Sequence, residues 1–297
     1  MELIEAEAFV TIAEVGAFTQ AATALHISQP AISRRIDLLE RELGAPLFER
    51  VRGGARLTEA GQAFLPHARC LLAAARDGAA AVRALEQEES GTVALALVGT
   101  LASTALTTQL RRFRTDHPRV RLLLRTARSD EVSALVQRGE ATLGLRYFPD
   151  PDLTVVSHLV RDEALVVVCA AQSRLAEHPS PDLRALAGIP WVTFQSGSGG
   201  EPYARIVERQ LRGAGLADAE IIPIDSLTAQ KRLIEADFGL GLLPASSIDE
   251  EVRLGTLRLL EVPALRATLP VMAIHRRQAY LSRAARRLLA DLVDPSS

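Results

Sequence analysis

The chain has 297 residues, 48% of them apolar, with 34 basic and 36 acidic side chains and a formal net charge of −2. That is length for about two domains, each able to bury a core, and the mixed charge does not suit a disordered chain. No apolar run approaches the ~20 residues that span a bilayer. The start MELIEAEAFVTIAE is acidic and amphipathic, unlike the basic start of a signal peptide, so a cytoplasmic protein with no membrane partner is expected. Cys70 and Cys169 lie far apart without CxxC spacing, which predicts reduced thiols that are buried or inert.

Leu3 to Val15 is the first predicted helix, with Ile4, Ala8, Phe9 and Ile12 as its apolar face and Gly16 as its terminator. The next stretch, Ala17 to Ile36 (AFTQAATALHISQPAISRRI), reads as two short helices joined by a tight turn. Phe18, Ala22 and Leu25 share one side, and His26-Ile27 breaks the pattern. Ser28 is suited to cap a new helix, with Pro30 tolerated in its first turn because the missing N–H is an orphan there. Ile32, Ile36 and Leu39 then face inward, leaving Gln29, Ser33, Arg34 and Asp37 outside. Gln, Ser and Arg at the start of a second helix are the groups that reach base edges in a major groove. The plain alternative is a helical hairpin with a solvated basic face.

That second helix should stop at Gly44. Pro46-Leu47-Phe48 leads into a strand, and Arg50 to Leu57 reads as a hairpin tipped by Gly53-Gly54. Its arginines suit a wing lying on the sugar-phosphate backbone. Residues 1–60 hold six Arg against nine acidic side chains, so the case rests on a local patch between Arg34 and Arg56 and not on the domain sum. The candidate DNA contacts are Thr19, Gln20, Ser28, Gln29, Pro30, Ser33, Arg34, Arg35, Arg50, Arg52 and Arg56.

SQPAISRRIDLLERELGAPLFER (Ser28 to Arg50), the following Leu57-Thr58-Glu59-Ala60-Gly61 and the preceding AFVTIAEVGAFTQAATAL closely resemble the amino-terminal domain of LysR-type transcriptional regulators. The resemblance implies a winged helix-turn-helix, a long dimerising helix and a two-lobed effector-binding domain. It also implies a homo-oligomer, a homotetramer by family pattern. In such proteins an effector closes the cleft between lobes, changes the spacing of dimers and the DNA bend, and so alters access for RNA polymerase.

Thr58 should cap the next helix, with Glu59 in the first turn where the dipole favours an acid. Phe64, Ala68, Leu71, Ala75, Gly78, Val82 and Leu85 follow at alternating spacings of four and three, a heptad seam suited to pairing with its twin. Pro66 should kink or loosen this helix. Glu86 to Gly91 reads as a hinge.

From Thr92 the pattern alternates strand and helix, beginning βαβαβ, which implies a parallel sheet. A helix is expected from Leu101 to His117, and two separate strands at Thr154–Leu159 and Ala164–Ala170. Further strands lie in IPWVTF, EIIPI, GLGLLP and LPVMAIH, and a last helix spans Leu281 to Leu292. Crossings near Val160–Glu163 and Pro263–Leu269 would join two lobes resembling the periplasmic-binding-protein fold, as the LysR-type resemblance also implies. The fold class expected is α/β overall, with a mainly α winged helix-turn-helix in front. Domains are expected at 1–58, 59–90 and 91–297, the last split into lobe I (91–161 and 268–297) and lobe II (162–267).

A ligand would lie between the lobes, at strand ends and helix starts. Four segments should line that cleft: Gly99-Thr100-Leu101, Arg128-Ser129, Phe194-Gln195-Ser196 and Ser226, with Arg146 at its mouth. LysR-type proteins often carry a small polar residue at the position of Arg128, so an arginine there departs from the pattern and suits a carboxylate or phosphate. Helix capping explains each Ser or Thr equally well; it is their agreement with the expected cleft that marks the set.

The chain contains no P-loop, GxGxxG, HExxH or GxSxG. His26, His67, His117, His158, His178 and His275 show no metal-ligand spacing. No catalytic residue, metal or cofactor is expected. The leading expectation is an effector-modulated DNA-binding regulator; the alternatives are an enzyme on the α/β lobes, a solute receptor, and a regulator of the same family whose cleft binds nothing.

Overall fold

The computed structural model describes residues 1–51, 54–86, 91–194 and 202–294. The chain divides into two compact units, carried mainly by residues 1–86 and 91–294. The first contains α1 (Leu3–Val15), α2 (Phe18–Ala24), α3 (Gln29–Leu43), the hairpin β1 (Phe48–Val51) and β2 (Gly54–Leu57), and α4 (Glu59–Glu86). Gly16 (φ 76) and Gly44 (φ 73) end α1 and α3 in the left-handed region that a Cβ disfavours. His26 also adopts a left-handed conformation (φ 54), which is why the helical pattern breaks there.

Phe9, Ile12, Ala22, Ile32, Ile36, Leu39 and Leu47 form the buried core of this unit. Phe9 packs against Phe48 and Phe64 with ring centres 5.3 and 5.1 Å apart. Ile4, expected on the inner face of α1, is 45% exposed; Ala6 and Val10 are buried instead. The strand β2 of the wing meets the loop after α1 at a backbone carbonyl. Gly16 O accepts the N–H of Ala55 at 2.8 Å, and a Cβ on Gly54 would lie 2.3 Å from the same oxygen.

The seam of α4 divides between two uses. Phe64, Ala68 and Leu71 pack into the core just described, whereas Ala75 and Gly78 are exposed and Val82 is 65% exposed. The Leu85 side chain and the hinge residues Gln87–Ser90 lie outside the described part. Pro66 does not interrupt α4, which is assigned as one helix of 28 residues.

In the second unit, β3 (Gly91–Val98), α5 (Thr104–Asp116), β4 (Val120–Ala127), α6 (Ser129–Gln137) and β5 (Leu143–Tyr147) form the expected parallel βαβαβ run. Helix α5 starts three residues later than predicted. Gly99–Leu101 is a 3-10 turn, and Ser103 caps the helix by accepting the N–H of Leu106 at 3.5 Å. The two strands expected between Thr154 and Ala170 are one, β6 (Val155–Ala170).

Next come β7 (Trp191–Phe194), α7 (Pro202–Gly213), β8 (Ile221–Ile224), α8 (Leu227–Glu235) and β9 (Gly241–Pro244). A short helix, α9 (Asp249–Leu254), and a strand, β10 (Leu257–Leu260), were not anticipated; β11 (Ala267–Arg276) and α10 (Arg283–Val293) close the chain. The main sheet runs β10-β6-β11-β5-β3-β4, with β9 also on β6, and β7-β8 form a separate parallel pair. Antiparallel to β6, β11 pairs with it from Ala267↔Leu165 to Arg276↔Val155. The far half of β6 carries β9 and β10 over a second core of Val168, Val192, Ile234, Leu243, Ile248 and Leu257.

The Gly16 joint predicts that Gly54→Ala drives a methyl into a backbone oxygen that cannot move alone. Urea unfolding should show a loss of roughly 1–3 kcal/mol, the range for overpacking.

Candidate nucleic-acid interface and effector cleft

Ser28 caps α3 by accepting the N–H of Ala31 at 3.4 Å, which fixes where the helix begins and so which side chains its first turns present. Gln29, Pro30 and Arg34 are exposed there, and Ser33 and Arg35 are half-buried beside them. Thr19 and Gln20 are exposed at the start of α2. Among the described residues, Arg34 and Arg35 make no ion pair. The other arginines of this unit behave differently. Arg41 Nε donates to Asp37 O, and Arg69 pairs with Glu14 at 3.2 Å. Arg56 pairs with Glu49, its partner across the hairpin, at 2.6 Å. That pair is exposed on both sides and holds by under about 1 kcal/mol, so a phosphate can displace the carboxylate. Arg52 lies outside the described residues, as does the side chain of Arg50.

The acids of this unit are partly absorbed by its structure. One oxygen of Glu40 accepts the N–H groups of Leu47 (2.6 Å) and Phe48 (3.2 Å), tying α3 to β1. The Glu5 carboxylate accepts the N–H of Glu2 at 2.7 Å, satisfying an orphan donor at the start of α1. Neither role is legible from composition.

In the second unit, Thr100 is buried and its hydroxyl donates to the Tyr147 hydroxyl at 3.0 Å. Burial pushes the Tyr147 phenol far above its ordinary pKa, so it stays neutral. Its ring lies 6.4 Å from that of Tyr203, which meets Phe194 edge-on at 5.7 Å. A chain of contacts thus runs from the end of β3 through β5 and α7 to the end of β7. Beside it, Glu163 on β6 is buried, accepts from Arg161 at 3.0 Å and accepts the Ser246 N–H at 2.9 Å. The hydroxyls of Thr193 and Ser246 are buried with no hydrogen-bond partner among the described residues. Tyr147, Tyr203 and Glu163 were not singled out from sequence, since nothing local marks a buried Tyr or Glu.

The remaining expected cleft residues are dispersed. Gly99 is exposed, whereas Leu101 is buried in the core. Ser129 is buried at the start of α6. Ser226 caps α8, accepting the Ala229 N–H at 3.4 Å. Gln195 and Ser196 lie outside the described residues. The two arginines differ sharply. Arg128 is half-exposed, 3.6 Å from the still more open Asp130. Arg146, expected at the cleft mouth, is instead buried. It pairs with Asp150 at 2.6 Å, also donates to Ser133, and leaves 8% and 2% of the Arg and Asp side chains exposed. Alongside it opens a concavity of about 680 Å³ between the Phe148–Pro151 segment and α7. Arg205, Arg209 and Arg212, spaced along one face of α7, line it. The i, i+4, i+7 spacing of these arginines is a signal carried by the sequence itself.

Of the two thiols, Cys169 is buried and its pKa is pushed up to about 11 by that burial, so it is inert. Cys70 is exposed on α4, so of the expected pair only Cys169 is buried.

Residues 3–62 match the family model of the bacterial regulatory helix-turn-helix protein, lysR family, and residues 86–294 match the LysR substrate binding domain. The chain is 29% identical to the HTH-type transcriptional regulator YeiE of Escherichia coli over 99% of this chain and 98% of that one. It is 30% identical to TfdS of Cupriavidus pinatubonensis, covering 91% of each. Among solved structures, full-length OxyR from Pseudomonas aeruginosa is similar in fold, with a TM-score of 0.74 at 21% identity over 99% of this chain and 94% of that one. Full-length CbnR in complex with its target DNA is 25% identical, with a TM-score of 0.68 and complete coverage of both chains. The chain belongs to the LysR family: it is a DNA-binding transcriptional regulator, not an enzyme, with an amino-terminal helix-turn-helix and a two-lobed α/β substrate-binding domain.

Proposed function

We propose that this regulator acts as a homo-oligomer on double-stranded DNA in the cytoplasm, and that a small anionic effector bound between its lobes changes how it engages that DNA and RNA polymerase. The reading of α3 as the recognition helix is supported by the unpaired Arg34 and Arg35 beside Gln29 and Ser33, and by the DNA complex of the related CbnR. The observation that carries the effector reading is the meeting of Thr100 and Tyr147 with Tyr203 and Phe194. It brings the Tyr147 hydroxyl, which accepts from Thr100, into an aromatic cluster near the ends of β3, β5 and β7, the combination of apolar walls and few polar groups that small-molecule sites use.

Anionic character is supported by Arg128. Its open contact with Asp130 holds it weakly, leaving it available to a carboxylate or phosphate. The concavity beside α7, lined by Arg205, Arg209 and Arg212 together with Glu208, is a separate surface with an excess of arginine. Arg146 serves another purpose, holding Asp150 in place. Pairing of two chains, with a tetramer as the larger assembly, is supported by the exposed stretch of α4 around Gly78 and Val82. The edge strand β4, whose Leu123 and Leu124 are 45% and 55% exposed, also needs a cover.

Two measurements test this. Fluorescence anisotropy on the DNA just upstream of the gene should show selective binding with a steep salt dependence. Arg34→Ala should weaken it by about 1–3 kcal/mol, the worth of one good base contact. Equal affinity for random DNA, unchanged in the variant, would overturn the recognition-helix assignment. In a thermal-shift screen of mono- and dicarboxylates and phosphate esters, Arg128→Ala should lose the response to an anionic ligand while melting as the wild type does. Arg146→Ala should instead lose roughly 3–5 kcal/mol of stability, because it strands a buried Asp150 carboxylate. A ligand response untouched in Arg128→Ala would refute the anionic reading.

A further inference from the structure

His158 and His275 are 117 positions apart in the chain, yet their Nε2 atoms lie 3.2 Å apart. The register of β6 and β11 brings them together. His158 stands opposite Ala273, so His275 is its diagonal neighbour two residues along the same face. The ring centres are 5.3 Å apart with planes 18° from parallel, which turns the two nitrogens toward each other.

The hydrogen bonding fixes the tautomers. His275 Nδ1 lies 2.8 Å from the Arg276 carbonyl oxygen, which only accepts, so Nδ1 carries the proton and the Nε2 lone pair is bare. That lone pair points at His158 Nε2, which must then be the donor in the metal-free pair. A ligating imidazole held by Nδ1–H on a backbone carbonyl is the arrangement metal sites use to orient their histidines.

We infer that His158 and His275 form a two-histidine site for a divalent ion of the Zn²⁺, Ni²⁺ or Cu²⁺ type on the β6–β11 ladder. Two metal–nitrogen bonds of about 2.0–2.1 Å at a tetrahedral angle separate the nitrogens by about 3.3–3.4 Å, close to the spacing present. Imidazole is a preferred ligand of these three metals. Burial and the neighbouring His275 lower the pKa of His158, which keeps its ring neutral and able to coordinate. Binding requires only that the His158 proton move from Nε2 to Nδ1, so a neutral pair takes up the ion with no net proton release. Both rings are half-buried, which leaves an approach for the ion and room for water to complete its shell. Among the described residues no group of three or more His, Cys, Asp or Glu is positioned to hold a metal, so this is an exchangeable site and not a closed structural one. The ion would pin β6 to β11, the pairing that both halves of the second unit share.

The test uses the full chain with Cys70→Ser, which removes an exposed thiol that would compete. Zn²⁺ titration by calorimetry should give one saturable equivalent per chain. His158→Asn and His275→Asn, on separate strands, should each weaken it by roughly 10–100-fold, at least what loss of an outer-shell partner costs. Zn²⁺ should raise the melting midpoint of the parent by mass action and leave both variants unmoved. The Cu²⁺-loaded parent should show two equatorial nitrogens by electron paramagnetic resonance, a readout that depends on no variant folding. No saturable equivalent, unchanged affinity in both histidine variants, or a copper signal without paired nitrogens would each overturn the site.

Discussion

The second unit depends on one pairing. All ten residues of β11 lie antiparallel to β6, and β6 then continues alone to carry β9 and β10. In the sheet, β5, β3 and β4 reach β6 through β11, whereas β9 and β10 pair with the remainder of β6. A sixteen-residue strand is long, and it is stable because both ends have partners. The bulge between Val271 and Met272 falls inside this ladder, where an extra residue bends a strand and increases its local twist. Glu163 sits at the same level, one oxygen on Arg161 and the other on the amide of Ser246. Glu163 therefore fixes the turn at Ser246 to the strand that carries it.

Short-range rules carried the first unit well. The cap at Ser28, the terminators Gly16 and Gly44, and the inward set Ile32, Ile36 and Leu39 each depend on residues within one or two turns, and each is present. Where a feature depended on distant chain, the sequence was silent. Asp150 lies only four residues from Arg146, but nothing there announces that Ser133 will help enclose the guanidinium, and nothing near His158 announces His275. The sequence suggests two strands separated by Val160–Glu163, whereas β6 runs through that stretch, where Glu163 accepts the amide of Ser246, 83 residues away. The seam of α4 divides for a related reason. A heptad specifies an apolar stripe but not its partner, and its first turns are taken by the winged domain's own core.

Electrostatics makes the same distinction between sum and place. The first sixty residues carry more acid than base, which by composition opposes a polyanionic partner. Several of those acids are committed: Glu40 to the amides of Leu47 and Phe48, Glu5 to an amide at the start of α1, Glu14 to Arg69, Glu49 to Arg56. Arg34 and Arg35 of α3 make no ion pair among the described residues, whereas Arg41 is held by the Asp37 carbonyl. A carboxylate that accepts backbone amides has spent its field on fixed dipoles close by, and what projects beyond a Debye length of about 8 Å in physiological salt is small. The outer face of α3 is therefore locally cationic on a domain that is acidic overall. Acids elsewhere on that domain repel phosphates wherever it approaches DNA in another orientation. A protein so arranged gains selectivity for docking its recognition helix from its negative charges as well as its positive ones.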